Sequence, residues 1–237
     1  MKDAGRITGE ALLLAEECIK EGVTTYEIDQ KIRMYIEKCG AKPSFLGYGG
    51  FPASACISIN DEVIHGIPSK KRILCEGDIV KVDVGAFKGG FHGDAARTFA
   101  VGKVSKEAAE LIEVTKQCFF EGLSKIQPGA RLGDVGHAIQ SYAQSYGFGV
   151  VRKYVGHGIG SELHESPDVP NFGTAGRGQR IVAGMAIAVE PMINIGTHEV
   201  IELEDGWTVK TADGSLAAHY ENTVVVTPDG NILTTLV

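Results

Sequence analysis

The stretch LCEGDIVKVD at residues 74–83 is followed, 107 positions later, by a related stretch, IVAGMAIAVE, at residues 181–190. In each copy an aliphatic residue stands three positions before a glycine, and an apolar segment then ends in a carboxylate, Asp83 or Glu190. A short apolar run after a turn glycine is typical of a buried strand. Two such strands, each ending in a carboxylate and separated by a fixed offset, indicate a duplicated fold.

The same offset of 107 relates two segments upstream of these strands, which begin near residues 19 and 126. Six positions match in type, the apolar spacing is that of an amphipathic helix, and a glycine stands where each helix should end. Chance similarity between helix–strand units could produce these matches, but it would not also align a carboxylate of one half with a carboxylate of the other at the same offset. We therefore expect an α+β fold with two related halves, about 1–107 and 108–237, whose strands form a mixed or antiparallel sheet with helices outside.

A further strand is predicted in each half, and each contains a histidine two residues before an acid. The segment HGDAARTFAV contains His92 and Asp94, and HYENTVVV contains His219 and Glu221, so the offset has grown to 127. The additional residues of the second half lie at about 197–218, where two Asp-Gly pairs predict hairpin turns.

Composition and charge limit the possible functions. The chain has 237 residues, 43% hydrophobic and 22% charged, with a net charge of −7, which argues against a sequence-independent nucleic-acid binder. No apolar run could span a bilayer, and the start lacks the apolar core of a signal peptide. Five scattered cysteines without a CxxC pair suit reduced thiols. We expect one cytoplasmic domain, residues 1–237, with no specific nucleic-acid or membrane partner.

The acids on the predicted strands indicate a metal site. A carboxylate buried in an apolar strand must be paired, coordinated or protonated. For any one acid, a salt bridge or an exposed strand end is the simpler interpretation, but only Lys81 and Arg97 lie close in sequence. Acids brought to one seam by the repeat would repel one another unless cations lay between them. The acids are Asp83, Asp94, Glu190 and Glu221.

The stretch VGHGIGSELHESPDV at residues 155–169 contains two of the chain's seven histidines. Its glycines are spaced G-x-G-x-G, so it is not a dinucleotide-binding fingerprint. It does not contain an HExxH motif either. We interpret His157, which lies between two glycines, as a ligand on backbone that approaches metal ions closely; a hydrogen-bonded loop histidine is the alternative. His164 and His65 lie in neighbouring predicted turns and are either functional or structural. Oxygen ligands with one imidazole suit Mn²⁺, Fe²⁺, Co²⁺ or Zn²⁺.

Six motifs occur in a fixed order along the chain: KVDVG, FHGDAARTF, GHGIG, LHESP, AVEPM and HYENTVVVT. In this order they resemble the bacterial type I methionine aminopeptidases, over nearly the whole chain. The resemblance implies the duplicated "pita-bread" (creatinase/aminopeptidase-like) fold, with two pseudo-symmetric halves around a curved, mainly antiparallel sheet. It also implies a short form without an N-terminal extension, whose start lies within the family's first helix, so that a slight truncation is expected.

The resemblance implies a site for two divalent metal ions, Mn, Fe, Co or Zn, with five protein ligands. Asp94 and Glu221 would bridge the ions, His157 and Glu190 would complete one site, and Asp83 would chelate the other. By the same resemblance, Glu190 would also carry a proton from the attacking water to the leaving amine.

The resemblance also assigns residues that bind the substrate. His164 would contact the scissile carbonyl and the oxyanion, and His65 the scissile amide nitrogen or the residue after it. The residues that would form the methionine pocket are Phe45, Tyr48, Phe51, Cys56, Leu163 and Trp207. Of the remaining histidines, we interpret His137 and His198 as surface residues. His92 and His219 lie either beside the metal ligands or at ordinary strand positions.

The implied activity is removal of the initiator methionine from the N-termini of nascent polypeptides when the second residue is small. A monomer with a transient ribosome contact is expected. A Pro-directed aminopeptidase or prolidase of the same fold is an alternative that should lack the pocket containing Cys56 and Trp207 and have an extra domain. A non-catalytic binding module on this fold is a second alternative, but it would be expected to lose ligands.

Overall fold

The computed structural model describes residues 1–236 of the chain. Within them the helices are α1 Lys2–Cys18, α2 Thr25–Lys38, α3 Lys106–Leu123 and α4 Leu132–Ser145. The strands are β1 Lys42–Pro43, β2 Ala55–Ile59, β3 Glu62–Ile64, β4 Ile79–Lys88, β5 Phe91–Ala100, β6 Gly149–Val150, β7 Gly156–Gly158, β8 Glu165–Val169, β9 Ala186–Val189, β10 Met192–Asn194, β11 Val200–Glu202, β12 Val209–Thr211, β13 Ala217–His219, β14 Asn222–Thr227 and β15 Gly230–Leu233. None of the helices in this range is long and apolar enough to cross a bilayer.

The structure confirms the repeat at the helices. Helix α4 begins and ends 107 residues after α2, at Leu132 and Ser145 against Thr25 and Lys38. In both helices the acidic residue at the third position accepts a hydrogen bond from the main-chain N–H that precedes the helix, 2.8 Å long in α2 and 2.9 Å in α4. This contact satisfies an otherwise unpaired donor and determines where each helix begins.

The side chains of β4 point alternately to the two faces of the strand, so one set packs in the core and the other faces the site. Ile28, Ile32 and Ile36 are fully buried and stand four residues apart on α2, so they share one helix face and pack in the same core cluster as Val82 of β4. Successive side chains of a strand point to opposite faces, so Asp83 faces away from the helices. The second half has an equivalent core between α3, α4 and its own strands.

Within residues 1–236 the strand pairs are antiparallel, as expected, but they form four separate hydrogen-bonded sheets where one sheet was predicted. Strand β4 is continuous over ten residues, whereas its counterpart in the second half is divided into β9 and β10. The division falls at Glu190 and Pro191, because proline has no N–H to donate to a ladder.

The predicted offset of 127 between the last strands of the two halves is wrong by two residues. The pairing of β4 with β5 places Gly85 opposite Asp94, and that of β10 with β13 places Met192 opposite His219. Gly85 and Met192 are equivalent under the 107 offset, so the counterpart of Asp94 is His219 and not Glu221, an offset of 125. A shift of two residues keeps each side chain on its original face of the sheet, so Glu221 still faces the site.

One of the two predicted Asp-Gly hairpins is present. Asp205–Gly206 lies between β11 and β12, which pair with each other. The second prediction is wrong, because Asp213–Gly214 leads from β12 to β13, and β13 pairs with β10. The other edge of β12 is already occupied by β3 of the first half.

Threonine hydroxyls join the two halves along the seam between β5 and the β13–β14 strands. Thr223 Oγ1 accepts a hydrogen bond from the main-chain N–H of Asp94 and donates one to its carbonyl, both 2.9 Å long. Thr98 Oγ1 likewise accepts a hydrogen bond from the main-chain N–H of His219, 2.9 Å long, and donates one to its carbonyl, 2.8 Å long. These bonds place two predicted site strands side by side without using their carboxylates.

Replacement of one seam hydroxyl tests this description. Thr223→Val exchanges the hydroxyl for a methyl group of similar size and leaves the buried main-chain N–H and C=O of Asp94 without their partner. The free energy of unfolding, measured by urea denaturation, should fall by about 1–3 kcal/mol. Thr227→Val, at the end of the same strand, is the control and should change it by less than about 0.5 kcal/mol. Equal stability of Thr223→Val and wild type would contradict the prediction.

Candidate active site

The predicted site residues lie around one cavity between the two halves, with a volume of about 150 Å³. All of them line it: Phe45, Tyr48, Phe51, Cys56, His65, Asp83, Asp94, His157, Leu163, His164, Glu190, Trp207 and Glu221. Carboxylates and one imidazole form its floor, and aromatic and aliphatic side chains form one wall. The fold thus brings together residues that are up to 176 positions apart, from Phe45 to Glu221.

The acidic floor is compact and buried. One ligand atom from each of Asp94, His157 and Glu221 lies within 4.8 Å of the others, and all three residues are buried. Oε1 of Glu190 lies 3.6 Å from Nε2 of His157, and Oδ2 of Asp94 lies 3.9 Å from the same nitrogen. The strand register places Glu190 opposite Glu221, while Asp83 of β4 lies diagonally from Asp94 of β5.

The two nearby cations do not neutralise these acids. Nζ of Lys81 donates to the carbonyl of Asn60, 2.7 Å away. The guanidinium of Arg97 donates to main-chain oxygens, including that of Glu221, and to the Asn222 side chain. Among the described residues, one buried oxygen on each of three acids has no hydrogen-bond partner: Asp83 Oδ1, Asp94 Oδ1 and Glu221 Oε1. Unpartnered carboxylate oxygens beside an imidazole are a donor set that fits divalent cations.

Burial shifts the protonation of the floor. It raises the pKa of Asp83 to about 7. It raises the pKa values of Asp94, Glu190 and Glu221 well above the ordinary carboxyl range, and repulsion from neighbouring acids raises them further. A carboxylate in these positions stays ionised near neutral pH only if positive charge is placed beside it.

His157 presents a lone pair to the acids. Burial, with a smaller contribution from His164, lowers the pKa of His157 to about 4, so the ring is neutral. Nδ1 lies 2.8 Å from the carbonyl oxygen of Gly158, which can only accept, so this nitrogen carries the proton. Nε2, the nitrogen that faces Asp94 and Glu190, is therefore unprotonated, as metal ligation requires.

The glycines around His157 have a packing reason that the sequence did not indicate. A Cβ on Gly156 would lie 2.3 Å from the carbonyl oxygen of Ala188, and one on Gly158 would lie 2.4 Å from that of Ser166. These oxygens belong to the flanking strands β9 and β8. The glycines therefore allow close strand packing around His157.

His164 and Tyr48 contact each other across the mouth of the cavity. Nδ1 of His164 lies 2.7 Å from the hydroxyl of Tyr48, and the His164 ring also packs on that of His157, with centroids 4.2 Å apart. The hydroxyl contact occupies Nδ1 and leaves Nε2 of His164 available. Tyr48 comes from the first half and His164 from the second, so the contact spans the seam.

His65 lines the same cavity and lies among aromatic rings. Its backbone has a φ of 60°, and its ring meets those of Tyr154 and Trp207 edge to face, at 5.8 and 6.4 Å. Burial lowers the pKa of His65 to about 4. The ring is therefore a neutral hydrogen-bonding group at a narrow rim.

The apolar wall forms a slot beside the acids. Phe45, Phe51, Cys56 and Leu163 are buried, and Trp207 packs edge to face on Phe51 with centroids 5.1 Å apart. The Asp205 carboxylate accepts a hydrogen bond, 2.9 Å long, from the main-chain N–H of Trp207 and so holds the backbone at this residue of the wall. Burial and the neighbouring acids raise the pKa of the Cys56 thiol, which remains neutral and apolar in character.

The structure places two residues near the site that the sequence analysis did not assign to it, one left open and one missed. Nε2 of His219 lies 3.8 Å from Oε2 of Glu190, so His219 is a neighbour of a predicted ligand and not only a strand position. Its place two residues before Glu221, on the same strand face, was the available signal. Tyr154, which contacts His65, was not identified and carries no pattern that could have indicated it. His92 instead contacts Ser44, with Nδ1 and Oγ 2.9 Å apart.

Comparison with known proteins matches the whole chain to one family. Residues 1–228 match the model of metallopeptidase family M24. A methionine aminopeptidase of Clostridium acetobutylicum is 57% identical over 236 residues, covering 100% of this chain and 94% of that protein. The crystal structure of a methionine aminopeptidase from Thermotoga maritima matches with a TM-score of 0.98 at 44% identity, covering 100% of this chain and 95% of that chain.

A more distant structure has the same fold. The prolidase of Pyrococcus furiosus matches with a TM-score of 0.80 at 25% identity. The match covers 100% of this chain and 62% of the prolidase chain. The likeness to both structures confirms the predicted pita-bread fold with its antiparallel strands.

The raised carboxyl pKa values predict how stability depends on pH when no metal is bound. Burial raises the pKa of Asp83 from 3.8 to about 7, so the folded protein keeps a proton that the unfolded chain has already lost. Between about pH 4 and about pH 7 this carboxyl binds more protons in the folded state than in the unfolded state, so its own contribution to the free energy of unfolding should fall as pH rises, opposite in sign to that of His157 and His65, whose pKa values burial lowers to about 4. Urea denaturation of chelator-treated protein across this range measures the slope.

The matched controls are the same protein with added Mn²⁺ and the chelator-treated variant Asp83→Asn. Both should have a less negative slope than the chelator-treated wild type, because bound metal keeps the carboxylates ionised in the folded state and the amide does not titrate. A slope of the chelator-treated wild type that is no more negative than that of Asp83→Asn would contradict the prediction.

Proposed function

The chain belongs to the methionine aminopeptidases of metallopeptidase family M24, and from this premise we propose that it removes initiator methionine with two divalent metal ions when the second residue is small. The observation that carries the proposal is the close approach of Asp94, His157 and Glu221, with ligand atoms within 4.8 Å. Asp94 and Glu221 would be ligands shared by the two ions. His157 and Glu190 would complete one site, and Asp83 would hold the other.

The donor set supports this assignment. The three orphaned carboxylate oxygens and the unprotonated Nε2 of His157 have the hard and borderline character that suits Mn, Fe, Co or Zn. Two ions would also offset the burial and the repulsion between acids that raise the carboxyl pKa values. The chemistry that such ions supply is Lewis acidity, which polarises a carbonyl and lowers the pKa of a nearby water.

We propose that Glu190 moves the proton. Its carboxylate lies between two imidazoles, with Oε1 3.6 Å from His157 and Oε2 3.8 Å from His219. Burial raises the pKa of Glu190 well above that of an ordinary glutamate. A carboxylate so situated is a suitable base toward the attacking water and, once protonated, a suitable acid toward the leaving amine.

We propose that His164 and His65 hold the peptide bond. The Tyr48 hydroxyl occupies Nδ1 of His164, and its donation to that nitrogen would leave an N–H on Nε2 for the carbonyl oxygen and the tetrahedral oxyanion. His65 would contact the scissile amide nitrogen or the residue after it. The rings of Tyr154 and Trp207 confine this rim, which supports a small second residue.

We propose that the apolar slot binds the methionine side chain. A flexible thioether fits a slot whose walls are aromatic rings, a leucine and a neutral thiol. The residues assigned to it are Phe45, Tyr48, Phe51, Cys56, Leu163 and Trp207. The presence of Cys56 and Trp207 in this wall argues against the Pro-directed alternative, and the complete ligand set argues against a non-catalytic binding module.

The wider assignments rest on the same premise. We propose one catalytic domain over residues 1–237, because the ligands come from both halves, about 1–107 and 108–237. The substrates would be the N-termini of nascent polypeptides in the cytoplasm, where the free thiols of all five cysteines are stable. A monomer with a transient ribosome contact follows from the family resemblance.

Two histidine variants separate the roles of metal and substrate binding. His157→Ala removes a proposed ligand and should lower the Mn²⁺ content of reconstituted protein below two ions per chain, measured by elemental analysis. His164→Ala should keep the wild-type metal content and lower kcat about 10²–10³-fold, because it removes a donor to the oxyanion. Equal loss of metal in the two variants would show that these roles are wrongly assigned.

Tripeptide hydrolysis tests the proposed specificity. Met-Ala-Ser should be cleaved well, and Leu-Ala-Ser about 10–200-fold less efficiently, because similar apolar side chains differ by about 1–3 kcal/mol in such slots. Met-Lys-Ser should hardly be cleaved, because its second side chain meets the rim at His65. Chelation should abolish release of methionine, and Mn²⁺ or Co²⁺ should restore it. Preferential cleavage of X-Pro peptides without methionine would favour the Pro-directed alternative.

A further inference from the structure

The imidazole of His219 is buried without any assigned partner. Its residue is 1% exposed, and neither ring nitrogen has a hydrogen-bond partner among the described residues. Buried polar side chains in folded proteins are nearly always hydrogen-bonded, so an unpartnered ring indicates a contact that this state of the site does not complete. The mechanism described above makes no use of this ring.

The backbone of His219 is held firmly, so its ring has a defined direction. Thr98 Oγ1 donates to the carbonyl of His219 and accepts its N–H, at 2.8 and 2.9 Å. On the other side, His219 pairs with Met192 in the ladder between β13 and β10. The main chain that carries the ring is thus held by contacts with both halves of the protein.

Glu190 is the polar group nearest to the ring. Nε2 of His219 lies 3.8 Å from Oε2 of Glu190, while Oε1 of Glu190 lies 3.6 Å from His157. The first separation is less than 1 Å beyond hydrogen-bond length, so a small movement of either side chain completes the bond. The two carboxylate oxygens therefore have different neighbours, and His219 is the neighbour of the oxygen that points away from His157.

We propose that His219 is a positioning residue for Glu190 and that it donates its Nε2–H to Oε2 when metal is bound. The bond holds Oε2 and turns Oε1 toward the centre that Glu190 shares with His157. The inference rests on the proposed function, because it assigns to Glu190 the tasks of ligand and proton carrier. Groups that hold a metal-ligating side chain by a hydrogen bond commonly affect metal affinity as well as rate.

The test compares two variants of nearly equal length, His219→Met and His219→Gln, of which only the second keeps an N–H donor. The affinity of metal-stripped protein for Mn²⁺ is measured by calorimetry, and kcat and KM are measured with Met-Ala-Ser. His219→Met should bind Mn²⁺ about 10–100-fold more weakly and lose kcat, with KM changed less than about twofold. His219→Gln should return affinity and kcat to within about threefold of wild type.

His198→Leu is the matched control. It removes an imidazole from another His–Glu pair, in which Nε2 lies 3.1 Å from Oε1 of Glu199 at the surface, away from the cavity. This variant should keep the wild-type Mn²⁺ affinity, kcat and KM. A loss as large as that of His219→Met would overturn the assignment, because the effect would not depend on contact with Glu190.

Other outcomes also overturn the proposal. Wild-type Mn²⁺ affinity in folded His219→Met would show that the contact is not needed, and equal losses in the Met and Gln variants would show that N–H donation is not the cause. If wild type itself fails to cleave Met-Ala-Ser, the proposed function fails, whereas the calorimetry still decides the role of His219. If neither variant folds, ¹⁵N NMR of Zn²⁺-loaded wild type decides: Nε2 of His219 should be protonated, and an unprotonated Nε2 contradicts the proposal.

Discussion

Mutual repulsion among buried carboxylates is the constraint on which the rest of this site depends. Four acids lie on adjacent strands, and the two nearby cations, Lys81 and Arg97, are used for main-chain and amide oxygens instead. The seam is closed by threonine hydroxyls, which join the strands without adding charge. The protein therefore buries four carboxyl groups that stay ionised near neutral pH only if positive charge is placed beside them. This arrangement fits a chain of a metallopeptidase family, because metal ions can supply that charge.

The duplication supplies the acids, but its asymmetry gives them different environments. In the first half Asp83 and Asp94 lie diagonally across β4 and β5, whereas in the second half Glu190 and Glu221 face each other across the ladder. The two-residue difference in register puts His219 where the first half has Asp94. As a result, imidazoles approach the floor only from the second half, His157 on one side of Glu190 and His219 on the other. A perfectly symmetric repeat would have made two equivalent metal environments.

The residues that we propose to contact the peptide come from segments that cross the seam. The hairpin between β11 and β12 occurs only in the second half, and it places Trp207 against Phe51 and beside His65 of the first half. Strand β12 pairs with β3, which leads directly to His65. In the same way, Tyr48 reaches across to His164. The proposed metal ligands thus come from the repeated core, while the residues proposed to select the side chain come from the parts of each half that are not repeated.

The sequence alone determined the repeat, the helix positions, the burial of acids in apolar strands and, through its motifs, the family and a list of site residues that all line one cavity. These features are readable because periodicity and spacing are local properties of the chain. It did not determine the register of the last strands, since pairing depends on partners more than a hundred residues away. Nor could it show that the glycines beside His157 admit neighbouring strands, or that the His219 ring meets Glu190. Contacts of that kind exist only once both halves have folded against each other, and only the tertiary structure decided them.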